Sequence, residues 1–169
     1  MTPLDRLNAL PESSAADELG RCCGAPRWVA HMVAGRPYAE VLHLQDAARQ
    51  AWRELGPTDW LEAFTHHPRI GDLDGLRRKF ASTAAWAAGE QAGAHDAAEV
   101  VLAALSEGNR RYEARFGHVF IVCATGKTAA EMLALLEARL GNPPDAELRI
   151  AADEQEKITT LRLEKLLSP

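Results

Sequence analysis

Apolar residues recur along this chain at three- and four-residue spacing, in runs punctuated by proline and glycine. That pattern predicts helices almost throughout. Thr2 caps a first helix, with Pro3 in its opening turn, running through Leu10 until Pro11 breaks it. Ser13 or Ser14 caps a second, carrying Ala16, Leu19 and Cys22, which stops at Gly24. Pro26 opens a third through Trp28, Val29 and Met32, ending at Gly35-Arg36-Pro37. From Tyr38 to Leu55, Val41, Leu42, Leu44, Ala48, Ala51, Trp52 and Leu55 mark a longer helix. Gly56-Pro57 closes it, and Thr58 or Asp59 caps the next, which bears Trp60, Leu61 and Phe64 and ends near His67. Further helices are expected from Leu76 to about Gln91 and from about His95 to Phe116, with a bend or break near Gly89 and Gly93. Thr128 caps another through Leu140, and a strongly amphipathic last helix spans roughly Ala146 to Leu167.

Only His118-Val119-Phe120-Ile121-Val122-Cys123-Ala124 reads as β-type, and it is too short and isolated to build a sheet. It is expected to be a buried extended connector. The fold class is therefore all-α: a single-domain bundle of about eight helices over residues 1–169 with one extended connector. A chain of 169 residues can bury one complete core, and its Ala and Leu content favours helices.

Charge and cysteine usage narrow the function. A formal net charge of -5 argues against nucleic acid, which needs a basic face. No apolar run is long enough to span a bilayer, no charged-then-apolar leader opens the chain, and Leu167-Ser168-Pro169 is not a peroxisomal signal. A soluble, cytoplasmic protein is expected, with no membrane partner. Cys22, Cys23 and Cys123 make no disulfide framework and read as small buried side chains in a reducing compartment.

Candidate chemistry centres on Thr65-His66-His67-Pro68-Arg69-Ile70-Gly71-Asp72. Pro68 disfavours the α conformation at His67, so the helix ends there, and Gly71 lets the chain turn. A histidine at a helix C-terminus either bonds the last carbonyls or, charged by the dipole, gives up a proton near neutral pH. Glu90 and Gln91 close the following helix, with Glu90 among Ala87, Ala88, Gly89 and Ala92. A carboxylate in such surroundings is either a solvated surface group or one wall of a small-molecule pocket. Gly126-Lys127-Thr128 lacks the earlier glycine of a phosphate loop, since Ile121 stands there, and reads as a turn into a helix. His66, His67, Asp72 and Asp74 lack metal-ligand spacing, and no Gly-x-Ser-x-Gly elbow occurs.

Several of these pieces, in order, resemble the 2-oxo-4-hydroxy-4-carboxy-5-ureidoimidazoline (OHCU) decarboxylases of urate breakdown. They are His66 to Asp72, Gly89-Glu90-Gln91-Ala92-Gly93, Asn109 to Gly117, Val119 to Ala124, Gly126-Lys127, and Ile158 to Leu163. The resemblance implies an all-α, commonly homodimeric enzyme that converts OHCU, a small-molecule ureide, to (S)-allantoin without metal or organic cofactor. It implies His67 as proton donor and Glu90 as the partner carboxylate that orients the substrate. Pro68, Ala87, Gln91, Phe120, Ile121, Val122, Cys123, Ala124 and Arg162 fall at its substrate-binding positions. Ala87 departs from the serine often found there, whose hydrogen bond would contribute about 0.5–1.5 kcal/mol. Two rivals stand beside this reading: a metal-dependent amidohydrolase on a related ureide, and a non-catalytic helical binding module. The second requires large exposed apolar stripes on the terminal helix.

Overall fold

The computed structural model describes residues 1–69, 73–80 and 92–168, with the backbone alone described at 79 and 92–97. Among these residues the chain forms nine helices and no strand. They are α1 (Pro3–Ala9), α2 (Glu12–Cys22), α3 (Pro26–Ala34), α4 (Val41–Arg53), α5 (Pro57–Thr65), α6 (Leu73–Phe80), α7 (Ala92–Phe116), α8 (Ala129–Leu140) and α9 (Pro144–Leu166). The all-α expectation holds. His118 to Ala124 is neither helical nor paired as a strand, and Phe120, Ile121, Val122 and Cys123 are buried, as expected of the connector. No helix of the described residues is long and apolar enough to cross a membrane.

The chain divides into two compact units. One comprises Met1–His66, Ile121–Cys123 and Ile150–Pro169; the other comprises His67–Phe120 and Ala124–Arg149.

In the first unit α1 begins on a reciprocal cap: Asp5 N–H donates to Thr2 Oγ1 at 3.1 Å, and Thr2 N–H to Asp5 Oδ2 at 2.8 Å. Helices leave their last carbonyls without internal donors. Arg36 answers this by donating from Nη1 to Leu7 and Leu10 carbonyls, each at 2.8 Å, and from Nε to Val33 at 3.3 Å. Two buried tryptophans tie helices together through their indole N–H groups. Trp28 donates to the Ala48 carbonyl and Trp52 to that of Ala152, both at 3.0 Å. Trp60 Nε1 is a buried donor with no acceptor among the described residues, and nothing in the structure explains it.

Helix starts depart from expectation where proline or a long-range bond decides. α2 begins at Glu12 behind Pro11, whose carbonyl accepts the Ala15 N–H at 2.9 Å, so Ser13 and Ser14 lie inside the helix and cap nothing. α2 ends on the extended residue Cys23, one short of Gly24. Tyr38 stays outside α4 because Asn8 brackets it, bonding its N–H and carbonyl at 2.9 and 2.8 Å. α5 starts behind Gly56, with Asp59 in its first turn accepting the Gly56 N–H at 3.4 Å.

In the second unit Arg77 of α6 makes a forked pair with Glu99 of α7, at 2.9 and 2.8 Å. α7 and α8 meet at Gly108, where a Cβ would stand 2.6 Å from a Leu136 methyl. Gly117, at φ 75°, ends α7 in the left-handed region that suits glycine. Beside it lies a buried ionic cluster. Glu147 is 0% and Arg139 8% exposed. Glu147 Oε1 accepts from Arg139 Nη2 at 2.5 Å and Nε at 2.7 Å, and from the Tyr112 hydroxyl; Asn142 Nδ2 donates to Oε2 at 2.9 Å. Burial, then the bond to Glu147, pushes the Tyr112 hydroxyl well above the ordinary phenol range.

α9 corrects the expectation of a strongly amphipathic helix. Its buried residues Glu147, Ala151, Gln155, Thr159 and Leu163 recur every four positions, with Ala152 beside them, and only three of the six are apolar. Burial follows the helical period while hydropathy does not. Of its large apolar residues only Leu161 is exposed, so α9 offers no apolar stripe of the kind a groove-binding module requires.

A buried carboxylate with three partners is costly to disturb. Glu147→Ala leaves Arg139 charged and buried, and is expected to destabilise the protein by about 3–5 kcal/mol. Equilibrium urea denaturation of the two proteins checks this.

Candidate active site

α5 ends because Pro68 removes the α conformation from His67. The break falls one residue earlier than expected: Thr65 is the last helical residue and His66 the C-cap, its N–H bonding the Ala63 carbonyl at 3.2 Å. His67 is the first residue beyond the cap and is half-buried. Pro68 and Phe120 line one cavity of about 260 Å³ in the second unit, together with Arg69, Asn109 and Glu113. Arg69 Nη2 pairs with Glu113 Oε1 at 2.5 Å, joining the residue after Pro68 to α7. Arg69 is 77% exposed, so this pair orients the corner more than it stabilises the fold.

Phe120 is fixed from below by chemistry. The Arg139 guanidinium lies 4.6 Å from its ring centroid, and the Tyr112 ring meets it edge-on at 5.1 Å. The buried cluster thus seats the start of the connector. Ala124 ends the connector and is half-buried; its carbonyl accepts the Lys127 N–H at 3.0 Å. Thr128 then caps α8 reciprocally with Glu131, at 2.7 and 3.2 Å. Gly126-Lys127-Thr128 is a turn into a helix, as its sequence indicates.

In the first unit Ile121, Val122 and Cys123 are buried. The Cys123 N–H donates to Glu154 Oε2 at 2.7 Å, and Glu154 Oε1 pairs with Lys157 at 2.5 Å. One of the connector amides expected to face substrate is therefore held by α9. Arg162, also on α9, is half-buried and donates from Nη1 to the Arg21 and Cys22 carbonyls, both at 3.4 Å. No carboxylate among the described residues neutralises it. A half-buried guanidinium held only by long bonds to carbonyls keeps its charge and most of its donors for an anion.

Ala87, Glu90 and Gln91 lie outside the described residues, as do Ile70, Gly71 and Asp72. Among the described residues, no three His, Cys, Asp or Glu side chains gather in ligand geometry. Asp74 pairs instead with Arg77 at 2.7 Å.

Sequence reasoning passed over Arg69, Asn109, Glu113 and Glu154. Arg69 and the Asn109–Glu113 stretch stood within quoted motifs, which was the available signal. Glu154 meets a residue 31 positions away, and no local pattern announces that.

Among the described residues, Pro68 follows a helix end, Phe120 to Ala124 belong to the connector, and Arg162 lies within α9. Among the described residues this is a helical domain. The chain belongs to the OHCU decarboxylase family, whose model matches residues 8–164. The Arabidopsis thaliana "Uric acid degradation bifunctional protein TTL" is 40% identical over 163 residues, covering 90% of this chain and 47% of that protein. The chain thus spans about half the length of that relative. The Amia calva "2-oxo-4-hydroxy-4-carboxy-5-ureidoimidazoline decarboxylase" is 33% identical over 138 residues, covering 79% of this chain and 75% of that one. A crystal structure of OHCU decarboxylase in the presence of (S)-allantoin aligns with TM-score 0.70 and 38% identity, over 90% of this chain and 99% of that chain.

The cysteines beside Arg162 are passive. Burial pushes Cys22 and Cys23 from 9.0 up to about 11, against the opposing charge of Arg162. A thiol raised on folding stabilises the fold fully below pH 9.0, and that contribution is lost as pH rises to about 11, because the unfolded chain ionises first. Denaturation midpoints of the wild type should therefore fall more steeply across this window than those of Cys22→Ala/Cys23→Ala.

Proposed function

We propose that this chain is a carboxy-lyase that decarboxylates OHCU to (S)-allantoin in urate catabolism, without metal or organic cofactor. The observation that carries the reading is the family match through residues 8–164, joined by a 38% identical relative crystallised in the presence of (S)-allantoin. The match runs through both compact units, which supports reading residues 1–169 as one functional domain. The family resemblance also supports a homodimer, and the lack of an apolar spanning helix among the described residues is consistent with work in the cytoplasm.

Loss of CO2 breaks a carbon–carbon bond and leaves its electron pair on the ring carbon. Such a pair usually needs a cofactor as sink. OHCU has a conjugated carbonyl and nitrogen system next to the departing carboxylate, so the substrate accepts the charge itself. The protein then has three tasks: orient the ring, stabilise developing negative charge, and deliver a proton to one face. Arg162, uncompensated by any described carboxylate, suits the anionic side, with the connector backbone from Phe120 to Ala124 sharing that role. Pro68 and Phe120 contribute apolar wall, and Ala87 and Gln91 complete the contacts. Glu90 accepts bonds from substrate N–H and hydroxyl groups. His67 protonates the ring carbon, and delivery from one side sets the (S) configuration.

OHCU generated in situ from urate, with allantoin followed by circular dichroism, tests this. Spontaneous decay yields racemate, so an (S) excess that depends on this protein is expected, and a racemate at the buffer rate would falsify the proposal. His67→Asn should lower turnover by about 10²- to 10⁴-fold in a folded protein. Arg162→Met should weaken substrate binding by about 1.5–3 kcal/mol, the range for a bond to a charged group, seen chiefly in KM.

A further inference from the structure

We propose that His66 is a positioning residue, whose ring, seated on Gly24, fixes where the Pro68-terminated end of α5 lies and so where His67 is held. The inference rests on the role assigned to His67 under the proposed function.

His66 is exposed, and the function described so far gives it no task. Yet its side chain lies against the turn between α2 and α3. An ideal Cβ at Gly24 would overlap Cγ and Cδ2 of His66 and stand 2.8 Å from its Cβ. The overlap with the ring could be relieved by rotating χ1. The overlap with Cβ could not, because that atom moves only with the backbone. Gly24 is thus the residue that lets the end of α5 come this close.

The surface under the ring is rigid. Cys23 and Ala25, flanking Gly24, are both 0% exposed, and Cys22 is 3% exposed. Cys23 N–H bonds the Leu19 carbonyl at 3.2 Å, and Val29 N–H that of Ala25 at 3.0 Å, so both helix ends are closed around the turn. The carbonyls of Arg21 and Cys22, just before it, receive Arg162. One short corner therefore supports the guanidinium expected to hold substrate and the residue next to the expected proton donor.

α5 is held at its other end as well. Arg27, on α3, donates to Asp59 of α5 at 2.9 Å. With its first turn tied to α3 and its cap resting on Gly24, α5 has two fixed points. The peptide that follows is His67, stiffened in turn by Pro68. Placement matters at this scale, since a shift of about 1 Å at a reacting group can cost about 10²-fold in rate.

The His66 atoms nearest the Gly24 position are carbons, a contact that needs no proton on the ring. His66 also borders an open groove of about 630 Å³, lined by Ala16, Gly20, Val29 and Val33, which leaves room for a phenyl ring.

Four variants are compared by CD melting and by steady-state turnover of in-situ OHCU. His66→Ala should fold normally and lose about tenfold in kcat with KM little changed, the pattern of a misplaced catalytic group. His66→Phe should restore kcat to within about twofold, because the flat ring is kept and the proton is not. Gly24→Ala should lose kcat, and Gly24→Ala/His66→Ala should stay below His66→Ala alone, since the overlap with Cβ outlasts the ring. Native kcat in His66→Ala overturns the inference, as does a His66→Phe enzyme no better than His66→Ala. Should the wild type itself give only racemate, the proposed function fails, and the contact is then judged by NMR of the imidazoles. Gly24→Ala should shift both His66 and His67 ring signals, and an unmoved His67 signal overturns the positioning role.

Discussion

A carboxylate taken completely out of water is tolerated only when its charge and lone pairs are met, and Glu147 is the place where this chain accepts that condition. Its partners come from three parts of the second unit: Tyr112 on α7, Arg139 on α8 and Asn142 in the turn before α9. Because the same guanidinium also lies over Phe120, the charge that neutralises Glu147 seats the aromatic ring at the head of the connector. Apolar packing alone could have held these helices at a similar distance. The ionic cluster adds direction, since a guanidinium forked onto a carboxylate admits few orientations.

Arg162 shows the opposite treatment of the same side chain. Arg27, Arg53, Arg77 and Arg139 each meet a carboxylate across helices, whereas Arg162 meets only two peptide carbonyls at long range. Carbonyls orient a guanidinium without cancelling its charge. The contrast separates the arginines that meet carboxylates from Arg162, which like Arg36 meets carbonyls but by bonds of 3.4 Å rather than 2.8 Å.

Much of this was legible in the sequence, and the reason is locality. Thr2 and Thr128 announce their helices because an N-cap and its reciprocal acid lie within one turn. Pro68 ends α5 for a steric reason confined to two residues, although the cap fell on His66 rather than His67. The connector was recognised because a buried apolar run between a positive-φ glycine and a turn has few alternatives. What escaped reading is long-range. Tyr38 is kept out of α4 by Asn8, and Ser13 and Ser14 lose their capping role to a helix that starts on Pro11. α9 misled because its inward face carries glutamate, glutamine and threonine, whose partners hydropathy cannot foresee. Glu154 is the sharpest case, a carboxylate whose bond to the Cys123 amide exists only once the connector lies beside it.

Gly108 carries a further implication. The crossing of α7 and α8 is as close as it is because nothing projects from position 108, so a methyl group there would wedge the two helices apart. Arg139 rides on α8 one turn beyond the crossing, and Tyr112 on α7 one turn beyond it. The height of the guanidinium above the Phe120 ring is thereby calibrated by an empty position, and a hydrogen atom serves as the shim for the aromatic wall of the pocket.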